Sequence, residues 1–72
     1  MTNTKLLEDK IRQSGLKKGF IAEKLGVSRG TFCAMVNNSS EFKASQIRDL
    51  CELLVIEDDE TLRAIFFAPS GA

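Results

Sequence analysis

Residues 17–36 read KKGFIAEKLGVSRGTFCAMV, and the spacing of their apolar and small side chains predicts two short helices joined by a tight turn. Gly26 lies between the two helices, where the chain needs a positive φ to turn sharply. Ala22 is small at a point where the helices must approach each other closely. The apolar positions that would pack the pair together and against the core are Ile21, Leu25, Val27, Phe32 and Met35.

Helical periodicity continues on both sides of this segment, and no alternating pattern persists that would indicate a strand. It predicts helices over about 4–14, 18–25, 29–37, 44–55 and 58–67. Gly15 is placed to end the first helix, 38–40 has the composition of a loop, and Pro69 is expected to end regular structure. At three helix starts an apolar residue before the cap can pack on another five positions later, as in the pairs Leu16–Ile21, Val27–Phe32 and Phe42–Ile47. We therefore expect one all-α domain of five short helices over residues 1–72.

The inward stripes of the other helices follow from the same period. They comprise Leu7 and Ile11 in the first helix, Ile47, Leu50, Cys51 and Leu54 in the fourth, and Leu62, Ile65 and Phe66 in the fifth. Phe67 points off the last stripe, so we expect its ring to be exposed and available to a second subunit.

Composition excludes several classes of function. The chain has 72 residues, 43% of them hydrophobic and 28% charged, as is typical of a small globular domain. Its first ten residues lack the apolar stretch of a signal peptide and no apolar run could span a bilayer, which predicts a cytoplasmic protein with no membrane partner. With two cysteines and no histidine, no metal site or other cofactor is expected. The absence of histidine, tyrosine and a glycine-rich phosphate loop gives an enzyme little support, and the short chain leaves no room for a domain that senses a small-molecule ligand.

A net charge of zero conceals a division between the two parts of the chain. Residues 1–48 hold nine Lys and Arg against four acids, a net charge of +5, whereas residues 49–72 hold one Arg against six acids, a net charge of −5. A chain divided in this way can present a basic face while being neutral in bulk. Chance segregation of charges on solvated helix faces is the alternative explanation.

The third predicted helix has small residues on its outward side. Gly30, Cys33 and Ala34 stand where a surface helix normally carries long charged side chains. Together with the glycine turn and the apolar positions above, this arrangement resembles the helix-turn-helix of Cro-like and Xre-like phage repressors, over Leu7 to about Leu54. LGVS at 25–28 is the most specific part of the resemblance, and CELL at 51–54 fills the place of the family's fourth helix.

The resemblance implies a lambda-repressor-like domain, with its helix-turn-helix at about 18–37, whose third helix lies in the DNA major groove with its first residues at the base edges. The base-contacting residues would be Arg29, Gly30, Thr31, Cys33, Ala34 and Asn37. The phosphate-contacting residues would be Lys17, Lys18, Ser28 and Lys43. Lys18 stands at the family position usually held by a backbone-contacting glutamine. Three of these residues also have an explanation that needs no contact with DNA. Gly30 is then a substitution without function that the helix tolerates, Cys33 is a half-buried packing residue, and Asn37 only ends the helix.

Lys17 and Lys43 support the phosphate interpretation independently. By the apolar spacing they occupy the caps of the second and fourth helices, where serine, threonine or aspartate is favoured. A lysine there opposes the helix dipole, but it adds charge to a helix start that already attracts phosphate through its free N–H groups. The competing explanation is that both lysines are solvated and that their energetic cost at a helix start is too small to matter.

The sequence therefore predicts a Cro-like repressor that binds a palindromic double-stranded operator, as a homodimer with Phe67 at the interface. Two alternatives keep the fold. One is an antitoxin or accessory protein whose acidic C-terminal half binds a basic protein partner, and the other is a protein-interaction module that has lost DNA binding.

Overall fold

A computed structural model describes residues 2–67, and these residues form five helices and no strand. In chain order the helices are α1 (Thr4–Ser14), α2 (Lys18–Leu25), α3 (Arg29–Val36), α4 (Ala44–Leu54) and α5 (Asp59–Phe66). The prediction of an all-α chain with five short helices is confirmed. The bounds of α1 and α2 are those predicted, and the other three helices are shorter by one or two residues because Asn37, Val55, Asp58 and Phe67 are caps.

The turns that position the helices are of two kinds. Gly15 and Gly26 end α1 and α2 with φ of 74° and 77°, in the left-handed region that glycine adopts without strain. Asn38 and Val55 also have positive φ, of 65° and 56°, which the sequence did not lead us to expect. Asparagine tolerates this conformation, whereas a β-branched residue there is an outlier. The predicted role of Pro69 lies outside the described residues.

The core lies where all five helices meet. Its buried hydrophobic residues are Leu7, Ile11, Ile21, Ala22, Leu25, Phe32, Met35, Val36, Leu50, Cys51, Leu54, Ile56, Ile65 and Phe66. Most of the predicted inward positions are therefore confirmed, but Val27, Ile47 and Leu62 are only half-buried. Val36 and Ile56 were missed, because each lies at or beyond a helix end where the period no longer assigns a face.

An edge-to-face series of rings connects α3 to α5. The centroid of Phe42, in the loop before α4, lies 6.3 Å from that of Phe32 and 5.5 Å from that of Phe66. These distances are within the range in which aromatic edges and faces attract. The loop between α3 and α4 is thus held against the core by its own aromatic residue.

The first residues hold the ends of α3 and α5 together. The Asn38 amide donates to the Thr2 carbonyl at 2.7 Å, and its oxygen accepts from the Thr2 N–H at 2.8 Å. The Thr4 hydroxyl donates to the Val36 carbonyl at 2.6 Å. The N–H of Asn3 donates to the Ile65 carbonyl, also at 2.6 Å.

Within residues 2–67, no helix is long and apolar enough to cross a membrane.

Candidate nucleic-acid interface

The N-terminus of α3 is closed by its own side chains. Ser28 is the N-cap, and its Oγ accepts a hydrogen bond of 3.1 Å from the Thr31 N–H. The same hydroxyl donates to Thr31 Oγ1 at 2.9 Å. Ser28 therefore caps α3 in the ordinary way. The two hydroxyls are exposed, so the first turn of α3 presents a pre-ordered polar edge to solvent.

The outward side of α3 bears small or short side chains, with one exception. Arg29, Gly30, Thr31 and Asn37 are exposed, while Cys33 and Ala34 are half-buried. The opposite side, formed by Phe32, Met35 and Val36, is buried in the core. Of the six residues predicted to contact bases, four are thus exposed and two are half-buried.

The glycine at position 30 is not required by packing within the chain. A Cβ built on Gly30 would have no heavy atom of another part of the chain within 4 Å. Its φ lies outside the left-handed region, so its backbone would accept an alanine without strain. A side chain is missing here although the fold has space for one, and the helix would be stabler with it. This observation favours a close approach by something outside the chain.

Two of the helices begin without a side-chain cap. Lys17 at the start of α2 and Lys43 at the start of α4 accept no hydrogen bond through their side chains, since an ammonium has no acceptor. Asn3, Ser28 and Asp58 cap the other three helices in the ordinary way. At α4 the Gln46 side chain accepts from the Lys43 N–H at 2.8 Å, which satisfies the cap residue but not the first turn. Both uncapped starts leave N–H groups for an external anion.

Three of the predicted contact residues lie around one surface pocket. Lys17, Lys18 and Arg29 line a depression of about 550 Å³ between the starts of α2 and α3, together with Gly19, Phe20 and the acidic Glu23. Ser28, which precedes Arg29, is exposed beside it. Lys43 does not line this pocket; it is exposed at the start of α4. Lys17, Lys18 and Arg29 therefore form one group at the α2–α3 junction, and Lys43 lies apart from this group.

Lys18 is already engaged within the chain. Its ammonium lies 2.9 Å from Glu8 Oε1 and hydrogen-bonds Glu8 Oε2 at 3.1 Å, so α2 is tied to α1. Although Oε1 is the nearer oxygen, it is buried and poorly aligned for a hydrogen bond, so we assign the bond to Oε2. The charge of Lys18 is therefore partly compensated, unlike that of Lys17 or Lys43.

Phe20 is a feature of this surface that the sequence did not single out. Its ring is 43% exposed, and the Lys24 ammonium lies 5.4 Å from the ring centroid. The spacing of four residues places these side chains together on one face of α2, and a cation over an aromatic face is attracted to it. That spacing is the signal that could have identified the pair.

The two cysteines differ in their surroundings. Cys51 is buried, and this burial raises the pKa of its thiol, so Cys51 is an unreactive core residue as predicted. Cys33 is half-buried on α3. In the part of the chain that the structure describes, no group of three or more metal-binding side chains occurs.

Comparisons with protein-family models, with curated proteins and with solved structures returned no match for this chain. The geometry of the α2–α3 junction is therefore what bears on function.

Proposed function

We propose that the protein is a sequence-specific DNA-binding regulator, of the Cro-like repressor type, with α3 in the major groove. The observation that carries the proposal is the outward side of α3, where Gly30 lacks a side chain that the fold would accommodate. A helix that enters the major groove is limited by side-chain bulk at its N-terminal end. The exposed Arg29 is then the one long side chain at the base edges, and arginine to guanine is the commonest specific contact.

The charges around α3 support the same function. Lys17 and Lys43 add positive charge to uncapped helix starts, which suits phosphate oxygens on either side of a groove. Ser28 offers its hydroxyl at the entry to α3. Cys33 and Ala34, which are half-buried, would contact the groove only at its edge, while the exposed Thr31 and Asn37 would face base edges. Lys18 would contribute less than the other lysines, because Glu8 competes for it.

A two-fold dimer completes the proposal. Dimers of such domains bind half-sites one helical turn apart, about 34–36 Å, and this requires a surface distant from α3 for self-association. Phe67 is 63% exposed at the end of α5 and is the proposed intersubunit contact. Repression would then follow from occupation of an operator and exclusion of the transcription machinery.

The deciding experiment is selection of bound sites from a pool of random duplexes, followed by affinity measurements at several salt concentrations. A palindromic consensus, with an affinity that falls steeply as salt rises, is the expected result. Absence of enrichment together with salt-independent binding would refute the proposal. The antitoxin alternative rests on the exposure of Glu57, Asp59 and Glu60, and co-purification of a basic protein partner without any enriched duplex would favour it.

A further inference from the structure

An apolar depression on the surface lies between α4 and α5. It has a volume of about 580 Å³, and its lining includes Ile47, Cys51, Val55, Leu62 and Phe67. Ile47 and Leu62 are predicted core residues that the fold leaves only half-buried. We refer to this depression as the α4–α5 groove. Within the lining, Val55 and Phe67 are exposed in a single chain, which is unfavourable in water.

Val55 gives an independent reason to regard the groove as a binding surface. It ends α4 with φ of 56° and ψ of 48°, in the left-handed region, where a β-branched residue is strained. Its side chain is also 72% exposed. Glycine or asparagine at position 55 would remove both the backbone strain and the exposed apolar surface. Packing within one chain offsets neither of these two costs. A valine at this position is explained if its side chain is covered by another molecule.

The shape of the surface specifies what covers it. Phe67, the exposed ring at the end of α5, forms one edge of the groove and projects from it. A two-fold interface must be self-complementary, because the same patch occurs on both sides of it. A surface that has both a projecting ring and an apolar depression meets this condition, since each Phe67 can enter the groove of the other chain.

The charges at the rim agree with this occupant. Arg48, Glu52 and Glu57 line the groove, and none of them forms an ion pair among the described residues. Across a two-fold axis, Arg48 of one copy can pair with Glu52 or Glu57 of the other, so the rim charges are complementary to those of a second copy.

We infer that the α4–α5 groove is the self-association surface of this protein, with Phe67 and Val55 of each copy packed into the groove of the other. The inference extends the proposed homodimer by identifying the surface that receives Phe67. It concerns the protein without DNA, so it is measured separately from operator binding. Failure of the inference would remove the proposed Phe67 contact but would leave operator binding through α3 to be decided by its own experiment.

Sedimentation equilibrium of the full chain, without DNA, tests the inference with three variants. Val55→Asn and Phe67→Ser should each raise the dimer dissociation constant at least about tenfold, because each change enters the two-fold interface twice. Phe20→Ser, which removes the other exposed phenylalanine, is the matched control and should leave the constant unchanged. Thermal melts should show that Val55→Asn does not lower the stability of the monomer, since asparagine tolerates the left-handed conformation.

The rim supplies a second test that does not remove apolar surface. Arg48→Glu alone should weaken association, and mixing it with a chain that carries Glu52→Arg and Glu57→Arg should restore a heterodimer. A wild-type chain that is monomeric at millimolar concentration would overturn the inference. Dimerisation that Val55→Asn and Phe67→Ser leave intact, or that Phe20→Ser abolishes, would overturn it as well.

Discussion

The Lys18 ammonium and the Glu8 carboxylate form an ion pair of 2.9 Å that joins the start of α2 to α1. Both side chains are about one-third exposed, at 33% and 34%. A cation in this position is shared between a carboxylate of its own chain and any phosphate that approaches the uncapped start of α2. The pair would therefore limit the contribution of Lys18 to the proposed DNA binding.

Replacing Glu8 by glutamine should release this cation. The affinity for all duplexes should rise, and the slope of log affinity against log salt should become steeper by about the 0.9 expected for one more phosphate contact. Stability should fall by less than about 1 kcal/mol, because ion pairs with this much exposure contribute little. Gel shifts over a salt series and thermal melts measure the two effects.

Asp9→Asn is the matched control for this change. It removes the neighbouring carboxylate, which pairs with Arg12 at 3.3 Å on the same helix, so it alters net charge equally without releasing Lys18. Equal effects of Glu8→Gln and Asp9→Asn on the salt slope would show that only net charge matters.

The loss of stability as the pH falls should depend in part on Asp58. Hydrogen bonds from Thr61, first from its side chain and then from its backbone, lower the pKa of this N-cap carboxyl. Because the folded-state pKa is lower than that of the unfolded chain, Asp58 stabilises the fold at pH values above the unfolded value of about 3.9. This stabilisation is lost as the pH falls through the folded-state pKa.

The variants Asp58→Asn and Asp58→Ala separate the cap from the charge. Asparagine also caps a helix but does not titrate in this range, so the wild type should melt at a higher temperature than Asp58→Asn at pH 7 and at a similar temperature at pH 2. Asp58→Ala should melt below Asp58→Asn at both values. A difference between wild type and Asp58→Asn that does not change with pH would contradict the assignment.

The helices could be predicted from the sequence because their signals are local. Glycine at positions 15 and 26 and a serine before Arg29 each act within one or two turns, and the structure confirms these caps. The apolar pairs at five-residue spacing act over the same short range. What the sequence did not predict depends on contacts between distant residues. Val55 was assigned to a helix because valine gives no stop signal, and Ile56 is buried only because the chain turns at Val55.

The candidate site was predictable in composition but not in arrangement. The cap positions of Lys17, Ser28 and Lys43 follow from spacing, yet nothing local indicates that Glu8, ten residues before Lys18, lies beside it. Whether Cys33 and Ala34 are exposed also depends on the packing of neighbouring helices. For this reason the sequence assigned all six predicted base-contacting residues to one face of α3, whereas in the structure four of them are exposed and Cys33 and Ala34 are half-buried.

Arg29 and Lys17 should contribute to DNA binding in different ways. Arg29→Ala removes a base contact, so it should reduce the free energy of binding to the selected operator by about 1–3 kcal/mol and relax the sequence preference at one base pair. Lys17→Ala should weaken all duplexes equally and reduce the salt slope by about 1. Lys5→Ala, an exposed lysine of α1 that does not line the α2–α3 pocket, controls for the change in net charge. A uniform loss in the Arg29 variant would place that side chain on phosphate instead.

Gly30 offers the sharpest separation of stability from function. Because the space around it is open and its φ is ordinary, Gly30→Ala should stabilise the fold by up to about 1 kcal/mol, less so near the helix end. If α3 approaches the floor of the groove at this point, the added methyl group should nevertheless weaken operator binding. Gly19→Ala is matched for stability, since Gly19 is also the second residue of an eight-residue helix and has the same open space. Urea unfolding should rank both alanine variants above the wild type, and gel shifts on the selected operator should show a loss for Gly30→Ala. A Gly30→Ala protein that is more stable and binds the operator as tightly as the wild type would show that α3 does not approach DNA through this residue.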